Sequence, residues 1–209
     1  LNQQVYDHVI GTISGKTGYI RNSLLGNRLN FSSRCVVIPL PPKTEMDEVH
    51  LPYLCALELL KLHIIRYLVK AFRLSYDEAN MKWNRATTVF DRQIYRVINN
   101  IISDMPYGMR ILINRNPTIN IGSILSVRVT HIKDDIEDTT MSISNNILPS
   151  LGADYDGDVV NIFLLINRFQ IEYFEPMNPK KLYSISCNDG KFNAMLEKDY
   201  MLGIHTLIE

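Results

Sequence analysis

The spacing of apolar residues changes period twice along this chain, and any fold must accommodate both changes. The stretch "SSRCVVIPLPP" is a β-branched run stopped by Pro39, Pro41 and Pro42, which predicts a strand and its exit. From Leu51 the pattern turns helical, with Pro52 near the first turn and apolar residues throughout "YLCALELLKLHIIRYLVKAF". A second helix is predicted to start at Ser75, because Ser75 and Glu78 in "SYDE" have the spacing of a capping box. Trp83, Phe90, Ile94, Val97 and Ile101 then recur at three-, four- or seven-residue intervals, one stripe along a helix expected to end before Pro106. Beyond it "MRILINRNPTINIGSILSVRVTHI", "MSIS" and "VVNIFLL" read as strands, punctuated by Pro117, Gly122 and the acidic turn "DDIEDTT". A helical block is therefore inserted within a β-rich unit.

The flanks are less regular. Residues from Gly11 to Asn30 are rich in glycine, polar and basic residues and read as a loop with short ordered pieces, and the tail from Asn167 carries a short final helix near "EKDYMLGIHTLIE". Twenty-two basic and 22 acidic side chains cancel, so bulk charge predicts neither nucleic-acid nor membrane binding, and such a function has to come from local clustering. Cys35, Cys55 and Cys187 are odd in number, widely spaced and without C-x-x-C pairing, which fits an intracellular, reducing compartment. The apolar segments are far shorter than a membrane span, and the amino end lacks a signal-peptide pattern. The chain begins at Leu1 rather than methionine, as a segment of a longer polypeptide would.

Chemistry concentrates in "SLGADYDGDVVNIF", where Asp154, Asp156 and Asp158 occupy alternate positions before an apolar run. Like charges this close repel unless something positive neutralises them. On an extended strand alternate residues lie roughly 6.6 Å apart, too far to close on one ion at ligand distances of about 2 Å, so the backbone must bend. Gly157 supplies a position free of the Cβ penalty for that bend. Three hard anionic oxygens without His or Cys nearby suit magnesium or manganese better than zinc. A calcium EF-hand is excluded, because glycine lies between the second and third aspartates and Leu165 occupies the twelfth position. A solvated acidic turn is the plain alternative, weakened by Val159, Val160, Ile162 and Phe163, which hold the triplet against a buried sheet.

"GADYDGD" resembles the "NADFDGD" signature of the largest (β′-type) subunit of multisubunit DNA-dependent RNA polymerases. Other blocks follow in the family's order: "GKTGYIRNSLLGNRLNFSSRCVVI" is similar to "GKxGRxRxNLLGKRVDxSxRSVI", "LPYLCALELLKLHIIRYL" to "LPxxxALELFKPFI", "ILINRNPTINIGSILSVRV" to "VLLNRxPTLHxxxIxAxxP", and "EKDYMLGIHTL" to "SQDxVLGLYYL". The resemblance implies an α+β fold. A basic, template-facing segment over 1–34 would lead into a double-psi β-barrel core over 35–166, with its helical insertion at about 52–104, and an extension over 167–209 would pack on the core. It implies Mg2+-dependent nucleotidyl transfer from nucleoside triphosphates to the RNA 3′ end, with Asp154, Asp156 and Asp158 as catalytic metal ligands in a two-metal mechanism. Arg115 and Pro117 match the nucleotide side of the site, and Lys16, Arg21, Arg28 and Arg34 match basic positions facing template and hybrid. Implied partners are a β-type subunit, the remaining β′-type segments, DNA template, RNA product and triphosphates, with no membrane. The chain alone would be inactive.

Departures accompany the matches. Gly152 replaces the asparagine that opens the signature, a residue associated with the ribose hydroxyls; Asn27 replaces a lysine, Asn120 a histidine and Tyr19 an arginine. Metal ligands kept while auxiliary groups change point to a divergent polymerase such as a large DNA virus or phage encodes, working in the host cytoplasm or virion. RNA-dependent RNA polymerases share a D-x-D-G-D loop on a similar barrel, but "LLGNR" and "NRNPT" favour the DNA-dependent class. A non-catalytic cation-binding subunit is the remaining reading.

Overall fold

The computed structural model describes residues 2–15, 18–21, 29–119, 121–182 and 206. The chain divides into two compact units, Leu1–Asn30 and Phe31–Glu209. In the first, helix α1 covers Asn2–Ile13, so it runs through Gly11 into the segment expected to be loop.

The second unit is built on a closed barrel in the order β1-β5-β2-β4-β3-β6, formed by β1 (Ser32–Pro39), β2 (Glu48–Leu51), β3 (Met109–Asn114), β4 (Ile124–Ile132), β5 (Thr140–Ile143) and β6 (Val159–Leu164). Two pairings are parallel, β1 with β5 and β2 with β4, and the other four are antiparallel. This mixed, closed six-stranded sheet with helices inserted between strands is the expected α+β double-psi barrel. Alternation fills its interior: Cys35 and Val37, Val49 and Leu51, Met109, Ile111 and Ile113, Leu125 and Val127, Met141 and Ile143, and Val160, Ile162 and Leu164 are all buried.

Between β2 and β3 lie α2 (Tyr53–Leu59), α3 (Lys61–Phe72), α4 (Tyr76–Ala86) and α5 (Arg92–Ser103). Each of the two helices expected here is two. The first breaks at Leu60, which leaves helical dihedrals (φ −99°, ψ 10°) while remaining fully buried. The second breaks because Thr87 and Thr88 turn their hydroxyls back onto the Asn84 and Arg85 carbonyls at 2.7 and 2.9 Å, ending α4. Asp91 then accepts from the Gln93 and Ile94 N–H groups at 2.7 and 3.2 Å, starting α5. The stripe survives the break: Trp83, Ile94, Val97, Ile98 and Ile101 are buried, and the Trp83 indole donates to the Leu57 carbonyl at 3.1 Å. The capping box of Ser75 and Glu78 is present as expected.

Between β5 and β6 lies α6 (Leu148–Leu151), and after the last barrel strand come α7 (Arg168–Phe174) and α8 (Pro179–Leu182). The expected final helix near "EKDYMLG" lies outside the described residues.

Candidate active site

The aspartate loop spans α6 and β6. Gly152 ends α6 in the left-handed region at φ +57°, and Gly157 bends the chain at φ +111°, the turn for which a glycine was expected. The loop is fastened along its length. The Tyr155 hydroxyl donates to Asn145 Oδ1 at 2.8 Å and lies 3.3 Å from the Ile143 carbonyl, tying the loop to the end of β5. The Val37 N–H donates to the Asp158 carbonyl at 3.1 Å, tying it to β1. Tyr155 went unremarked in the sequence, where its alternation with the aspartates offered the only signal.

Register explains what faces the loop. β3 runs antiparallel to β6 with Asn114 opposite Asn161, so the residue leaving β3 emerges beside the residues entering β6. That residue is Arg115. Its Nε lies 2.8 Å from Asp158 Oδ2 and its Nη2 donates to Asp158 Oδ1 at 3.1 Å, a two-point clamp between side chains 43 residues apart in sequence. The Asp154 N–H also donates to Asp158 Oδ2 at 2.9 Å. The Arg115 guanidinium, followed by this N–H, holds the Asp158 carboxyl below the usual carboxylate range.

The other two aspartates are exposed. Asp154 Oδ1 accepts from the Tyr155 N–H at 2.7 Å. The donor chemistry of the loop, three carboxylates without a soft ligand, fits a hard divalent cation. The expected convergence of all three does not appear: among the described residues no three His, Cys, Asp or Glu side chains are grouped to hold a metal ion. At Asp158 the neighbouring positive charge is the Arg115 guanidinium.

Pro117 is exposed in the loop after β3, where the Thr118 hydroxyl donates to Asn114 Oδ1 at 2.9 Å. Arg34 is exposed on β1, opposite Asn161 of β6, and makes no ion pair among the described residues. Arg21 is exposed in the first unit. Lys16, Arg28, Asn27 and Asn120 lie outside the described residues.

Elsewhere the barrel carries a charge cluster around a buried aspartate that the sequence did not reveal. Asp47, just before β2, lies 3.9 Å from Arg110 on β3, 4.0 Å from Arg128 on β4 and 3.0 Å from Lys180 on α8. Asn178 donates to Asp47 Oδ2 at 3.2 Å.

A family model described as RNA polymerase Rpb1, domain 2, matches residues 26–171. Bacterial proteins named DNA-directed RNA polymerase subunit beta′ are similar over nearly the whole chain. That of Campylobacter fetus is 26% identical over 196 residues, that of Sulfurimonas denitrificans 29% over 202, and that of Nitratiruptor 27% over 198. These alignments cover 92 to 93% of this chain but 12% of each relative, so the chain spans a small part of their length.

Proposed function

This chain belongs to the family of RNA polymerase Rpb1, domain 2, and on that footing we propose that it forms the active-site barrel of a β′-type subunit of a multisubunit DNA-directed RNA polymerase. The observation that carries this reading is the aspartate loop of "GADYDGD", pinned across one end of a closed barrel with Arg115 reaching it from the neighbouring strand end.

Asp154, Asp156 and Asp158 would hold Mg2+, which when bound lowers the pKa of an attacking 3′-hydroxyl and neutralises triphosphate charge. The chain's own contribution is placement. Tyr155 and the Val37–Asp158 backbone bond fix the loop against the barrel, so that the carboxylates cost little to organise when charge develops in front of them. Arg115 and Pro117 stand on the nucleotide side, where a guanidinium can donate to phosphate or sugar oxygens. Arg21 and Arg34, with Lys16 and Arg28, would contact phosphates of template and hybrid, which position nucleic acid without reading its sequence. The remaining surfaces of such a site come from a β-type subunit and other β′-type segments, with DNA, RNA and nucleoside triphosphates as further partners.

The test is replacement of Asp156 by alanine in the assembled enzyme. Asp156 is exposed and outside the core, so assembly should proceed as in wild type while RNA synthesis from triphosphates on a DNA template is abolished. Retained synthesis would sink the metal assignment, and synthesis confined to RNA templates would sink the DNA-directed one.

A further inference from the structure

Arg115 occupies both carboxylate oxygens of Asp158, at 2.8 and 3.1 Å, so a cation that used Asp158 as a ligand would have to share or displace it. We propose that Arg115 is an exchangeable counter-charge: cation binding to the loop releases its guanidinium from Asp158, and that release makes it available to an anionic group of the incoming nucleotide. This rests on the metal reading of the preceding section and adds an order to it, cation first and arginine engagement second.

Three features support exchange over a fixed structural pair. The clamp is partly open to solvent, with the Arg115 and Asp158 side chains 24% and 21% exposed, so neither partner is sealed in the core. No side chain stands on the Gly152 side of the guanidinium, where an added Cβ would meet only Arg115 Nη1, at 3.9 Å. Asp158 also keeps a second donor, the Asp154 N–H at 2.9 Å, so its carboxylate stays aimed after Arg115 leaves.

Competition has a measurable sign. Removing the guanidinium should tighten cation binding, because the cation no longer displaces a bidentate ion pair. For a pair this exposed, the change should be about three- to tenfold in Kd. Mn2+ binding to the intact assembly, followed by electron paramagnetic resonance, reads this without catalysis. Arg115→Gln should bind Mn2+ several-fold more tightly than wild type. Arg115→Lys, which keeps the charge but loses the two-point geometry, should fall between them. Asp156→Asn should weaken binding in both the wild-type and the Arg115→Gln backgrounds. If Asp156→Asn weakens Mn2+ binding but Arg115→Gln and Arg115→Lys leave it unchanged or weaken it, the exchange is overturned and the metal site stands. If Asp156→Asn has no effect in either background, the metal reading fails and the exchange fails with it.

Discussion

Asp158 and Asp47 meet positive charge in opposite settings. Asp158 shares one arginine at the rim of the barrel, whereas Asp47 is 3% exposed and faces three cations from two strands and a helix. Burial alone would raise the Asp47 pKa; the contacts of Lys180 and Asn178 and the charges of Lys180 and Arg128 outweigh it and leave it lowered. A carboxylate with a depressed folded-state pKa adds stability at pH above its unfolded value of about 3.9, and that stability is lost as pH falls through the lower folded value. Asp47→Asn should therefore flatten the acid limb of the stability curve below about pH 4, and Asp47→Ala should cost about 2 kcal/mol near neutrality, chiefly by leaving the partly buried Arg110 without its carboxylate; urea denaturation at several pH values checks both. Gly152 is clarified at the same scale. Its φ of +57° lies in the left-handed region, where asparagine is the side chain strained least. The aspartate loop and its bend at Gly157 were legible in the sequence because a short motif carries them. The Asp47 cluster and the Arg115–Asp158 clamp were not, because their partners come from segments distant in the chain, and the Tyr155 contacts were not, because they depend on how the loop folds back on the end of β5.

The helical insertion shows what local chemistry adds to periodicity. Apolar spacing revealed the buried face across Trp83, Ile94, Val97 and Ile101, but a stripe continues through a turn when the two helices pack on one surface, so spacing did not reveal the break. The break was written in Thr87, Thr88 and Asp91, residues whose oxygens compete for backbone groups. Ser75 and Asp91 cap separate helices and share no partner. Ser75→Ala and Asp91→Ala should each lower stability by about 1 kcal/mol, and the double variant should lose about the sum, measured as shifts of the denaturant midpoint at constant slope. Substantial non-additivity would mean that α4 and α5 fray as one unit. Five of the six strands were easier to place, since they lie in β-rich runs bounded by Pro, Gly or an acidic turn; β2, the short EVHL, has a single β-branched residue and ends at Leu51, where the helical pattern was expected to begin.

At the scale of the molecule the barrel is held together by pairings that no local rule predicts. β1 sits between β5 and β6, the last two strands in sequence, and β2 sits between β5 and β4. Alternation identified every strand but β2, and none of their neighbours, because pairing order depends on closing the sheet. The helices from Tyr53 to Ser103 contact residues near them in sequence, while β1 waits for Val159–Leu164. For a chain emerging from the ribosome the two parts mature at different times. A nascent chain arrested before Val159 should gain protease resistance across residues 53–103 while 32–39 and 109–114 stay cleavable, and resistance of the strands at that length would contradict it. Until Val159 emerges, β1 and β3 expose the edges that β6 will later cover, so the element that closes the barrel also ends the interval in which the chain can pair with the wrong neighbour. The "GADYDGD" loop is made immediately before that strand. The charged segment is thus bent into place in the same step that seals the barrel, and a chain that fails to close never assembles the site.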